Sequence, residues 1–214
     1  MANHARVERE RLADLLEAVG PDAPTLCDGW RTRDLAAHLV LREARPDAAA
    51  GIVLPFLAAR TARVQREFAA LPYPELVRRF RSGPPRLSAF ALPGADEAGN
   101  LVEYFVHAED VRRAGEAGWE PEPLGPGLGE LLWRRLRVPV RMELGRRTPV
   151  RLVLELPDGR NLVAGQKLPG SVRVLGEPGE LLLFAFGRGA RARVELSGPA
   201  DELALLRGRV GVPD

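Results

Sequence analysis

The chain has one cysteine, Cys27, among its 214 residues. That excludes an internal disulfide and a zinc cluster built on several cysteines. Of its 31 basic residues only Lys167 is a lysine. Arginines alternate with acids throughout and the net charge is only +2, so the basic stripe that nucleic acid requires is missing. No apolar run approaches the roughly 20 residues needed to span a bilayer, so no membrane partner is expected. The opening segment "MANHARVERERLADLL" is charged and helical in pattern, unlike a secretory signal, and a cytoplasmic location is expected. The bias toward Arg, Ala, Gly and Pro over Lys fits GC-rich codons and says little about a partner.

What is present is ordinary for a globular chain: 45% hydrophobic and 28% charged residues, enough for one large domain or two small ones. The first part reads as helical. Val7, Leu12, Leu15, Leu16 and Val19 recur at helical spacing up to Gly20. "TRDLAAHLVLREA" predicts a helix from Thr32 to Ala44, with Thr32 as its N-cap and Asp34 in its first turn. A third helix is expected from about Ala48 to Ala70, bent at Pro55. "PYPELVRRFRSG" predicts a short helix, "LPGADEAGN" a loop, and "NLVEYFVHAEDVRRA" another helix reaching about Gly115. A helix from about Leu128 to Leu144 follows. Then come a hairpin around Pro157-Asp158-Gly159, a strand and short helix in "VRVLGEPGELLLFAFG", a strand in "RARVELSG" and a closing helix in "PADELALLRG". The boundary is placed near Arg146, giving a helical domain over 1–146 and a small α/β domain over 147–214.

Histidine is also scarce: His4, His38 and His107. His4 lies near the terminus and is discounted. Around His107, Glu103, His107 and Asp110 stand at i, i+4 and i+7, within about 60° of one another on a helix. The surrounding residues are largely apolar, so this polar stripe faces inward. A carboxylate and an imidazole buried together need partners. Either they satisfy one another structurally, or they hold a divalent metal with a further ligand from a facing helix. His38, beside Leu35 and Leu41, supplies a second inward-looking histidine. Cys27 reads as a small apolar filler rather than a nucleophile. Trp30 is expected to anchor the loop before the His38 helix. Asp34 would either orient His38 or charge the helix start. Arg42 and Arg45 follow His38 on its face, where they would be solvated or meet an anionic ligand.

"TLCDGWRTRDLAAHLVLRE", followed by "VEYFVHAEDVRRA", resembles the mycothiol-dependent maleylpyruvate isomerase family of actinobacteria. That family belongs to the DinB-like metal-binding four-helix bundles. The likeness covers roughly the first 115 residues and is greatest to a branch known only as metal-binding. It rests chiefly on the W-x-x-x-D-L-x-x-H pattern. The resemblance implies metal ligation by His38, Glu103 and His107, with Asp110 behind them or as a weak ligand. "LGEPGELLLFAFGR" resembles the sterol-carrier-protein-like α/β domain that often follows this bundle. Three ligands leave an open position, as in catalytic sites. Imidazole and carboxylate suit Zn²⁺ first, with Ni²⁺ or Fe²⁺ as alternatives. The implied function is a metal- and thiol-dependent isomerase or transferase, using mycothiol or a similar thiol on a small-molecule substrate. The alternative is a non-catalytic protein that binds metal or an apolar ligand. The sequence does not specify the oligomeric state.

Overall fold

The computed structural model describes residues 3–49, 51, 54–86, 88–115 and 118–210. The chain divides into two compact units, Met1–Trp119 and Glu120–Asp214. The division falls earlier than the boundary expected near Arg146. The reason is the helix that begins at Leu128, which packs against the buried helix of the second unit.

The first unit comprises α1 (His4–Val19), α2 (Thr32–Ala44), α3 (Pro46–Ala49), α4 (Ala58–Ala69), α5 (Tyr73–Arg81), α6 (Ala95–Gly99) and α7 (Leu101–Arg112). Helix α1 packs on α7 and α5, and α2 packs on α4 and α5. Their inward faces carry Leu12, Leu16, Leu35, Leu76, Phe80 and Tyr104, all fully buried. The long third helix expected from Ala48 does not form as one piece. Pro55 opens a 3₁₀ turn over Pro55–Leu57 before α4 begins, because proline has no N–H to continue the ladder and is tolerated in a first turn. Within "LPGADEAGN", expected as loop, Ala95–Gly99 is helical. Gly94 supplies the left-handed turn (φ +76°) that starts it.

The cap of α2 also differs from expectation. Arg31, not Thr32, is the capping residue. The Thr32 hydroxyl instead donates to the Gly20 carbonyl at 2.5 Å, tying the end of α1 to the start of α2. Asp34 accepts from the Arg31 N–H at 3.0 Å, so it serves the helix start rather than His38.

The second unit contains α8 (Leu128–Pro139), a π-helical turn (Val140–Leu144), α9 (Gly145–Arg147), β1 (Leu152–Glu155), β2 (Asn161–Ala164), β3 (Val172–Leu175), α10 (Pro178–Ala185), β4 (Glu195–Ser197) and α11 (Ala200–Val210). The sheet order is β2-β1-β3-β4. Strand β1 is antiparallel to β2 and parallel to β3, and β3 is antiparallel to β4. Alternate positions of β1 and β3, namely Leu152, Leu154, Val172 and Val174, are fully buried, the period-2 signature of a sheet with one covered face. Helix α10 is apolar all round, with Leu181 to Phe184 fully buried. Among the described residues, every strand lies after Arg146. No helix of the described residues is long and apolar enough to cross a membrane.

Candidate metal centre

Helices α2 and α7 each contribute one histidine to a common point. One ligand atom each from His38, Glu103 and His107 lie within 4.8 Å of one another. Glu103 Oε2 stands 3.6 Å from His107 Nε2. The His38 and His107 rings meet edge to face with centroids 5.7 Å apart. Ligands about 2.0–2.2 Å from a tetrahedral zinc lie roughly 3–4 Å apart, so the observed spread fits the group with small side-chain adjustment. His4, discounted from the sequence, begins α1 and is not part of this cluster.

Each ligand is held differently. His107 Nδ1 lies 3.0 Å from Asp110 Oδ2. A carboxylate only accepts, so Nδ1 carries the proton and Nε2 is turned toward Glu103. Asp110 is fully buried and also accepts from the Cys27 thiol at 3.2 Å. The Asp110 carbonyl accepts from the Leu26 N–H at 3.0 Å, which fixes the Cys27 loop against α7. Arg42 donates to the Gly99 carbonyl at 2.7 Å and to the Asn100 side chain. Its Nε sits 3.7 Å from Glu103 Oε2, so it braces that carboxylate from behind. Arg45 is engaged elsewhere, with Asp47 at 2.9 Å. The Trp30 ring lies 5.0 Å from the His38 ring. Among the described residues, the His38 nitrogens make no hydrogen bond, although the residue is buried.

The charges follow from this geometry. Burial, with His107 and Arg42 nearby, lowers the His38 pKa to about 4 despite the opposing Glu103 charge, so its ring is neutral with a lone pair available. Burial alone would raise Glu103, but the adjacent His107 ring and the charges of Arg42 and His38 outweigh it and keep the carboxylate ionised. Burial likewise opposes a charged His107, yet the Asp110 carboxylate at 3.0 Å, with Cys27 and the Glu103 carboxylate close by, holds its pKa well above the usual range. A neutral His38, the anionic Glu103 and a His107 ring whose Nε2 proton a cation would displace make a donor set suited to a divalent metal.

The structure thus brings together His38, Glu103 and His107, places Asp110 behind His107, and separates Asp34 and Arg45 from the cluster. Cys27 corrects the sequence reading: it is a polar partner of Asp110 rather than a filler. No periodic signal could have shown this, because Cys27 sits in a loop whose path depends on the whole unit. The Cys27–His107–Asp110 cluster is itself close enough to hold a cation, but its 3.0 and 3.2 Å contacts are those of a hydrogen-bonded set.

Residues 5–51 match the family model for the mycothiol maleylpyruvate isomerase N-terminal domain. Two solved structures share the fold. One is a histidine-to-alanine mutant of the mycothiol-dependent maleylpyruvate isomerase, with a TM-score of 0.61 and 17% identity, covering 93% of this chain and 92% of that one. The other is the mycothiol-dependent maleylpyruvate isomerase, with a TM-score of 0.57, 18% identity and the same coverage. No curated protein matches the chain. The resemblance to the maleylpyruvate isomerase family read from the sequence therefore stands on both the family model and the fold.

Proposed function

We propose that the protein binds a divalent metal through His38, Glu103 and His107 and acts as a thiol-dependent isomerase or transferase on a small molecule, with mycothiol or a related thiol as co-substrate. The observation that carries this reading is the convergence of the three ligand atoms within 4.8 Å, drawn from two helices. On this reading the first unit is a DinB-like bundle and the second a sterol-carrier-protein-like domain. When bound, the metal would supply a Lewis-acid position that lowers the pKa of a thiol or water. Zinc suits the donor set best, with nickel or iron as alternatives.

The chain's own residues prepare that position. His38 offers an unprotonated nitrogen at neutral pH. Asp110 fixes the His107 tautomer and ring angle, leaving Nε2 for the cation. Arg42 holds Glu103 in place and offsets its charge. Trp30 packs against His38 and limits the ring's freedom. Three protein ligands leave room for an exogenous one, as in catalytic rather than structural sites.

The test is metal analysis of the purified protein, followed by melting curves with zinc and with a chelator. The wild type should gain about 2.7 kcal/mol at a hundredfold excess over Kd, and chelation should remove the gain. His107→Ala and Glu103→Gln should show little of it. A wild type indifferent to both additions would sink the metal assignment. Turnover of maleylpyruvate by the zinc-loaded protein, with and without mycothiol, then separates the enzyme from a non-catalytic metal-binding protein.

A further inference from the structure

The second unit carries a groove of about 550 Å³ lined by Arg137, Val140, Arg141, Gly145, Leu162 and Val163, among others. Its two walls are the π-helical turn after α8 and the edge strand β2. Each wall offers something unused.

The first wall presents charge. Arg137 and Arg141 are exposed and pair with no acid among the described residues. Other arginines of this unit do pair: Arg134 with Glu130, Arg160 with Asp158 and Glu130, and Arg173 with Glu155. Beside the two arginines, Val138 and Met142 are 66% and 47% exposed, so an apolar stripe runs along the basic one. The wall ends in a π-helical turn, closed by the Gly145 N–H to the Val140 carbonyl, a local geometry that recurs at functional sites.

The second wall presents backbone. In the hairpin, Gly159 (φ +87°) takes the left-handed position of a bulge, and the Leu156 N–H bonds the Arg160 carbonyl at 2.9 Å. Hydrogen-bonded and non-bonded pairs alternate in an antiparallel ladder. The register therefore makes Leu154↔Leu162 and Leu152↔Ala164 the bonded pairs. The N–H and C=O groups of Asn161 and Val163 consequently point away from β1, and β2 has no other neighbour in the sheet.

The geometry points to an extended acidic peptide as the occupant, adding to the outer edge of β2 and placing alternate carboxylates on Arg137 and Arg141. The two spacings agree. Four helical residues, the step from Arg137 to Arg141, advance about 6 Å, and side chains on one face of a strand repeat at roughly 6.6–6.8 Å. Main-chain bonds to Asn161 and Val163 would give affinity, and the carboxylate–guanidinium pairs would give specificity.

The experiment uses the full chain and the peptide acetyl-Val-Glu-Val-Glu-Val-amide, with its Gln-for-Glu counterpart as control. Binding is followed by amide chemical shifts of the ¹⁵N-labelled wild type and by calorimetry. The acidic peptide should shift the Asn161–Gly165 amides and bind at least tenfold tighter than the Gln peptide. Arg137→Glu with Arg141→Glu should abolish binding. So should Val163→Pro, which removes an N–H that β1 does not use and is tolerated at an edge. No shift in β2, equal binding of the two peptides, or shifts confined to other residues would overturn the proposal. The wild-type shift map decides the matter even if a variant fails to fold.

Discussion

His107 has two ring nitrogens in different surroundings. Nδ1 is bound to a fully buried carboxylate, and Nε2 looks toward Glu103 and His38. Removing the carboxylate's charge should let the ring turn and reduce its basicity. Asp110→Asn is therefore expected to weaken zinc binding about 10- to 100-fold, the usual cost of losing such a partner. A competition assay against a chelating dye measures this, and an unchanged affinity would mean that packing alone orients the ring. A second buried carboxylate makes a different prediction. Glu43 accepts from the Tyr104 hydroxyl at 2.5 Å, and Arg9 donates to that hydroxyl at 2.7 Å and to Asp96 at 2.8 Å. Burial dominates, and the Glu43 pKa is pushed up to about 7 from 4.5, against the lowering by Arg9 and the Tyr104 bond. A raised pKa means that the folded state binds the proton more tightly. The associated stability is complete below about pH 4.5 and is lost as pH rises through about 7. At about 1.4 kcal/mol per pH unit, the linkage amounts to roughly 3 kcal/mol. Relative to wild type, Glu43→Gln should therefore gain stability between pH 4.5 and 7.5. Denaturant midpoints at the two pH values check it, and parallel pH profiles would refute the assignment.

At the scale of elements, α10 is the clearest test of what holds the second unit together. It is eight residues long, too short to be stable alone, so its helicity depends on packing against α8 and its surroundings. Leu182 is fully buried. Leu182→Ala should cost about 2–5 kcal/mol, a transfer loss plus a cavity, read as a lower denaturant midpoint. A cost under 1 kcal/mol would mean that the site collapses around the gap. This helix and its neighbours also show which elements the sequence made legible. Continuous apolar runs, as in α10, and apolar spacing, as in α1, marked their elements. The hairpin announced itself through Pro157-Asp158-Gly159. Proline and glycine effects were harder to place. Pro55 splits a helix where a bend was expected, and Pro139 precedes a π-helical turn that no periodicity separates from the α-helix before it. The cap at Arg31 was hidden because the stabilising oxygen belongs to Asp34, three residues on. At the candidate site, helical spacing revealed Glu103, His107 and Asp110 as one stripe, and His38 as a second inward histidine. That the two helices face one another, and that the Cys27 loop closes behind them, depends on tertiary packing, which spacing does not encode.

At the scale of the molecule, the candidate metal ligands all lie in Met1–Trp119, while the sheet and α10 lie in Glu120–Asp214. A ligand that binds only the native form slows exchange only at amides whose opening destroys its site. Amide hydrogen exchange of the zinc-loaded and chelated full-length protein therefore distinguishes the two units. Helices α2 and α7 anchor all three ligands, and breaking either removes the site. Their slowest amides should gain protection equivalent to about 2.7 kcal/mol at a hundredfold excess of zinc over Kd. The α10 amides, which report on a core the metal does not touch, should keep their rates. The Asp110→Asn variant should show a smaller gain in α2 and α7 at the same zinc concentration, because its weaker affinity reduces the ratio of zinc to Kd. Equal gains in α7 and α10 would show that the chain opens as one cooperative unit. No gain anywhere would leave His38, Glu103 and His107 as a buried polar cluster without a cation.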